Sequence, residues 1–144
     1  MSPAEVESII ALITNWARQR PDIAGLAMIG SWARGSARPD SDLDFVLLTE
    51  RVNEFRRDRD WPDAMAWDRA GFTLESFEDA AYGAVWSRHF TLAPRAALEL
   101  SFAAPSWASL DPIDPGTRRI VEAGWRILVD KAGALADLAA SLGK

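Results

Sequence analysis

At 144 residues, with 49% hydrophobic and 26% charged residues and a formal net charge of −5, the chain has the size and composition of one globular domain rather than a disordered segment. A chain of this length buries roughly 68–70% of the surface that its unfolded form exposes, enough for one core. It has no cysteine and a single histidine, His89, so disulfides, thiol nucleophiles, Cys-bearing zinc sites and multi-histidine clusters are excluded and any catalysis falls to carboxylates, hydroxyls and arginines.

In chain order, Ser2, Pro3 and Glu5 predict a helix start: a capping hydroxyl, a proline at the first helical position and negative charge at the positive end of the dipole. Val6, Ile9, Ile10, Ile13 and Trp16 continue it at helical spacing to about Arg20, where Pro21 stops it. Ile23 to Ile29 is a short apolar run that predicts a buried strand delivering the chain to Gly30 and Ser31, which enter a helix or tight turn. After a polar stretch, Asp42 to Thr49 predicts a second strand with Asp42 and Asp44 at its start.

The segment from Glu50 to Gly83 predicts a short helix near Val52 to Asp58 and another near Leu74 to Ala81, with Glu75, Glu78 and Asp79 facing solvent. Within it, four arginines between Glu50 and Asp60 are matched by four acids, the pattern of a solvated face. Trp86 to Leu92 and Ala97 to Ala103 predict a hairpin turning at Ala93 to Ala96, with Glu99 inside its second strand. Pro115 opens another helix that Gly124 ends, Arg126 to Val129 predicts a fifth strand, and a last helix runs from about Gly133 to Leu142. The expected architecture is a mixed α/β or α+β domain over residues 1–144, with about five strands flanked by helices.

The amino terminus, MSPAEVESII, lacks the basic region of a signal peptide, and no apolar run approaches the ~20 residues of a membrane span, so the expected location is the cytoplasm, with no membrane partner. The acidic balance also argues against nucleic acid as a partner, because backbone affinity needs clustered Lys and Arg.

Function is concentrated in GSWARGSARPDSDLDF, Gly30 to Phe45. Asp42 and Asp44, two residues apart in a strand, point to one face with Cα atoms roughly 6.6 Å apart, while Leu43 and Phe45 face the core. Both carboxylates then reach one pair of ions standing about 3.5–4 Å apart, and hard oxygen ligands select Mg²⁺, or Mn²⁺, over zinc. Gly30 and Ser31, with backbone N–H groups, a hydroxyl and no Cβ at Gly30, suit a polyphosphate cradle; Arg34 and Arg38 add cationic donors in the same loop. A metal pair beside a phosphate cradle means phosphoryl or nucleotidyl transfer.

Gly30 and Ser31, ten intervening residues, then Asp42, Leu43 and Asp44 resemble the DNA polymerase beta superfamily of nucleotidyltransferases. The finer string, including Arg34, Gly35 and Ser41, is similar to minimal nucleotidyltransferases and aminoglycoside adenylyltransferases. By chance the Gly-Ser and Asp-x-Asp pattern arises on the order of once in several thousand chains of this length. The resemblance implies the mixed-sheet nucleotidyltransferase fold, with Gly30, Ser31, Arg34 and Ser41 binding the nucleotide and Asp42 and Asp44 holding two Mg²⁺ ions. It also implies a third acid on a neighbouring strand. Ala97-Leu98-Glu99-Leu100 looks like the corresponding strand of streptomycin-type adenylyltransferases, which makes Glu99 a general base or third metal-supporting residue; Ser101, on the same face, is the alternative position.

The implied reaction moves a nucleoside monophosphate, AMP from ATP first, onto a hydroxyl of a small molecule or a protein. The alternative is an antitoxin-type minimal nucleotidyltransferase acting on, or binding, a helical partner protein; a homodimer is a further possible assembly, and a degenerate domain that only binds nucleotide is disfavoured by the complete set of acids. His89 reads as a rim residue without a catalytic role, and the seven tryptophans read as packing first, with Trp32 and Trp107 the lesser candidates for stacking on a base or an aglycone.

Overall fold

The computed structural model describes residues 1–82 and 85–144. Its first helix, α1 (Pro3–Gln19), starts as expected with Ser2 and Glu5 capping reciprocally: the Glu5 N–H donates to Ser2 Oγ at 3.2 Å and the Ser2 N–H to Glu5 Oε1 at 2.9 Å. Strand β1 (Gly25–Ile29) runs directly into the five-residue helix α2 (Gly30–Arg34), and the returning strand β2 (Leu43–Leu48) is followed by α3 (Val52–Arg57) and two short 3₁₀ turns. Strands β3 (Thr73–Tyr82), β4 (Val85–Ala93) and β5 (Ala96–Ala103) form a meander, and a third 3₁₀ turn, α4 (Pro115–Ala123), β6 (Arg126–Asp130) and α5 (Ala134–Ser141) complete the chain.

Six strands make one mixed sheet in the order β3-β4-β5-β2-β1-β6. Only β2 and β5 are parallel; every other neighbouring pair is antiparallel. On one face, Leu43, Phe45, Leu98, Leu100, Phe102 and Phe90 pack against Ile9, Ile10 and Ile13 of α1 and against Phe55 and Trp61. On the other, Val121 of α4 and Leu135 and Leu138 of α5 pack on Ala27, Val46, Leu48 and Ala103, with Ile29 and Ile127 partly buried beside them. That face is open around Asp44, Glu99 and His89, which are part-exposed, whereas Ser87 further along it is buried. Among the described residues no helix is long and apolar enough to cross a membrane.

Two expectations are corrected: the second strand begins at Leu43, so Asp42 lies just outside it, and a sixth strand is present. Leu74 to Ala81 is not a helix but part of β3, an edge strand hydrogen-bonded to β4 alone. A bulge lets Leu74 oppose Leu92 while Ser76 opposes Thr91, so Glu75 is the extra residue and Leu74 and Phe77, three apart, land on the same face. That spacing imitates a helical repeat. The same register puts Asp79, exposed as expected, opposite Arg88, and the Arg88 guanidinium reaches Asp79 Oδ1 from Nε at 2.7 Å and Oδ2 from Nη2 at 3.1 Å.

Candidate active site

Asp44 is the second residue of β2 and alternates with Leu43 and Phe45, which are fully buried on the α1 side, so its carboxylate leaves the sheet on the open face. In register, Asp44 opposes Ile29 on β1 and Glu99 on β5, Glu99 opposes His89 on β4, and His89 opposes Glu78 on β3. One row of the sheet therefore reads Glu78, His89, Glu99, Asp44. Asp42 lies just before β2 and is exposed; its Oδ2 stands 2.9 Å from His89 Nε2. A carboxylate oxygen accepts, so Nε2 carries the proton and donates.

The turn from β1 into α2 closes the site from the other side. Gly30 has φ +76°, and a Cβ there would stand 2.3 Å from Asp44 Oδ2, so the absence of a side chain lets the backbone lie against the carboxylate. Gly35, also at positive φ, ends α2, with its N–H donating to the Ser31 carbonyl. Arg34, at the last position of α2, is exposed, and its positive charge is felt at Asp44.

Electrostatically, these groups behave as one cluster. Burial pushes the Asp44 carboxyl up to about 6; the negative charges of Glu99 and then Asp42 push the same way, against the smaller opposing pull of Arg34 and His89. Carboxylates brought together at such a cost are in surroundings that a cation would relieve. Among the described residues, however, no three His, Asp or Glu side chains already converge as a ready-made cation cage. By the chemistry of its donors, an all-oxygen set of carboxylates, the cluster fits a hard divalent ion.

The remaining expected site residues divide. The Ser41 hydroxyl accepts the Arg38 N–H at 2.9 Å and its carbonyl accepts the Trp32 indole N–H at 2.9 Å, so Ser41 ties together the loop that delivers Asp42 and Trp32 is pinned by the same contact. Trp107 packs beside Trp125, ring centroids 6.4 Å apart, in the apolar cluster under α4 and α5. Ser101 sits one step along the sheet from Glu99 and shares a hydrogen bond of 2.8 Å with Ser87, leaving Glu99 as the acid level with Asp44. His89 and Glu78 were not among the expected site residues. For His89 a signal existed: pairing residues outward from Leu92 opposite Ala96 at the hairpin turn puts His89 opposite Glu99. Glu78 joins the row only through the bulge in β3.

A family model described as "Nucleotidyltransferase domain" matches residues 10–101, from within α1 to within β5, two residues past Glu99. No curated protein matches the chain significantly. A solved structure titled "Structural Basis for the Activity of a Cytoplasmic RNA Terminal U-transferase" is similar at 19% identity and a TM-score of 0.46, covering 71% of this chain and 30% of that one. This chain thus spans less than a third of the length of that protein.

Proposed function

The chain belongs to the nucleotidyltransferase domain family, and from that premise we propose that it transfers a nucleoside monophosphate, AMP from ATP, to a hydroxyl acceptor, with residues 1–144 acting as one domain in the cytoplasm. The observation that carries this reading is the contact between the two halves of the motif: Gly30 presses its bare backbone against Asp44, whose carboxyl is raised to about 6 beside Glu99 and Asp42.

Asp42, Asp44 and Glu99 would hold divalent cations, Mg²⁺ first, which when bound supply charge neutralisation at the transferring phosphoryl group. In transfer, the acceptor oxygen attacks the α-phosphorus, the new O–P bond forms as the bond to the bridging oxygen breaks, and pyrophosphate leaves with the electron pair. Glu99, half-buried on the open face, would take the proton from the acceptor hydroxyl. Gly30, Ser31 and Arg34 would bind the triphosphate from the α2 side, and Ser41 would act through the loop that it closes. His89 donates to Asp42 and so keeps one of its oxygens aimed away from random rotamers.

Thermal unfolding with each nucleoside triphosphate, with and without Mg²⁺, tests the reading. Ligand at a hundredfold excess over its Kd adds about 2.7 kcal/mol to stability, so a raised Tm that requires both nucleotide and Mg²⁺ is expected. No shift with any nucleotide overturns it.

A further inference from the structure

Between α2 and α4 lies a groove of about 380 Å³ whose wall includes Gly30, Arg34, Gly116, Arg119 and Gly124. Its volume is within the range of about 300–1,000 Å³ usual for small-ligand sites. One end is Gly30, whose backbone lies against Asp44, so the groove begins where the carboxylate cluster stops. Glycine at Gly30, Gly116 and Gly124 leaves much of the floor as bare backbone, and α4 ends hard against α2, a Cβ on Gly124 falling 3.7 Å from both the Ala33 oxygen and the Arg34 Cα.

The charged residues that line the groove are two arginines, in a chain of net charge −5. Asp114, at the start of α4, comes within 3.1 Å of where a Cβ on Gly116 would stand, but its Oδ2 is occupied in capping α4, accepting the Thr117 N–H at 2.9 Å. The neighbouring Arg118 pairs with Glu122 at 3.7 Å, whereas Arg34 and Arg119 are in no ion pair among the described residues. Arg119 Nη2 lies 3.9 Å from the position that a Cβ on Gly116 would take, so its guanidinium hangs over the groove. Two free guanidinium groups over bare backbone, beside a carboxylate cluster, suit an anion with several phosphoryl oxygens.

We propose that this groove is a polyphosphate subsite and that Arg119, on α4 and beyond the matched residues 10–101, binds the β- and γ-phosphates of the nucleotide together with Arg34. The assignment rests on the nucleotidyl-transfer reading and extends it to a residue from the C-terminal part of the chain. It follows that α4 is part of the substrate site as well as a cover for the sheet. When the α-phosphorus bond to the bridging oxygen breaks, the electron pair stays on pyrophosphate, and Arg119 and Arg34 are the groups that face that growing charge.

Binding of ATP, AMP and inorganic pyrophosphate, each with Mg²⁺, is measured by calorimetry for the wild-type chain, Arg119→Ala, Arg119→Lys and the control Arg118→Ala. Loss of a charge-assisted contact is expected to weaken ATP and pyrophosphate on the order of tenfold or more in Arg119→Ala, with AMP unchanged, partial recovery in Arg119→Lys and no effect in Arg118→Ala. Arg119 is exposed, so the unfolding midpoint without ligand is expected to stay at the wild-type value. Equal ATP and pyrophosphate affinity in Arg119→Ala and wild type overturns the subsite and leaves nucleotidyl transfer standing, as does equal weakening of AMP. A wild-type chain that binds no triphosphate overturns both.

Discussion

The two faces of the sheet treat charge in opposite ways, and adjacent residues of β4 show it. Arg88 points to the α1 face and is fully buried, yet four of its five N–H groups are answered: Asp79 takes two hydrogen bonds, the Asp58 and Arg56 carbonyls take two more at 3.1 and 3.2 Å, and the rings of Trp61, Phe77 and Trp86 lie within 5.1 Å of its guanidinium carbon. His89, the next residue, points to the open face into a row of acids where Asp44 is held against Glu99 and Asp42. A charge buried with its partners ties β3 and β4 to the segment after α3. Like charges collected around Asp44, with only His89 and Arg34 to oppose them, weaken the fold and make sense as a place for a ligand.

The largest expected effect lies on the open face. Asp44→Asn should lower nucleotidyl transfer by at least about 10²–10³-fold while the cation-free chain melts at the same or a higher temperature, because repulsion is removed. A variant that kept transfer, or melted well below wild type, would break the contrast between the faces. Arg88→Met should do the reverse. Two buried carbonyls lose their donor and Asp79 keeps only Arg59, at 3.5 Å, which costs about 1–3 kcal/mol, read as a lower midpoint in urea unfolding, and adding Asp79→Asn should recover part of the loss.

His89→Ala tests the link between the two. Freed from its donor, Asp42 should bind cation less well, with Mn²⁺ affinity measured by paramagnetic resonance falling about tenfold and the melting temperature little changed. Unaltered Mn²⁺ affinity would reduce His89 to a rim residue, as its sequence context alone implies.

The smallest effect is on pH. Asp44 titrates at about 6 in the folded chain against an ordinary value of 3.8, so between those values the folded state holds more protons than the unfolded one and this group's contribution to stability falls as pH rises. Without cation, lowering the pH from 7 to 5 should therefore raise the melting temperature of wild type relative to Asp44→Asn by a few degrees at most. A difference independent of pH would mean that the Asp44 carboxylate is not under the repulsion described.

Local signals carried most of the elements and most of the site. The capping box of α1, the apolar runs of β1 and β2, and the Gly30-Ser31 and Asp42-Leu43-Asp44 spacing are all readable because each depends on residues a few positions apart. Leu74 to Ala81 was misleading because a bulge in an edge strand reproduces a helical spacing, and only pairing with β4 decides between the two.

The sequence by itself determined which chemistry was open to this protein: with no cysteine and one histidine, only carboxylates, hydroxyls and arginines remained, the motif pointed to Asp42 and Asp44, and the third acid was left between the Glu99 position and that of Ser101. Tertiary structure decided the distances between them. Strand register across β3, β4, β5 and β2 set Glu78, His89, Glu99 and Asp44 in one row, and the approach of Gly124, after α4, to α2 set Arg119 in the same groove as Arg34, 85 positions away. Neither is written in any short window of residues, because register and helix docking are settled by burying apolar faces shared among distant parts of the chain.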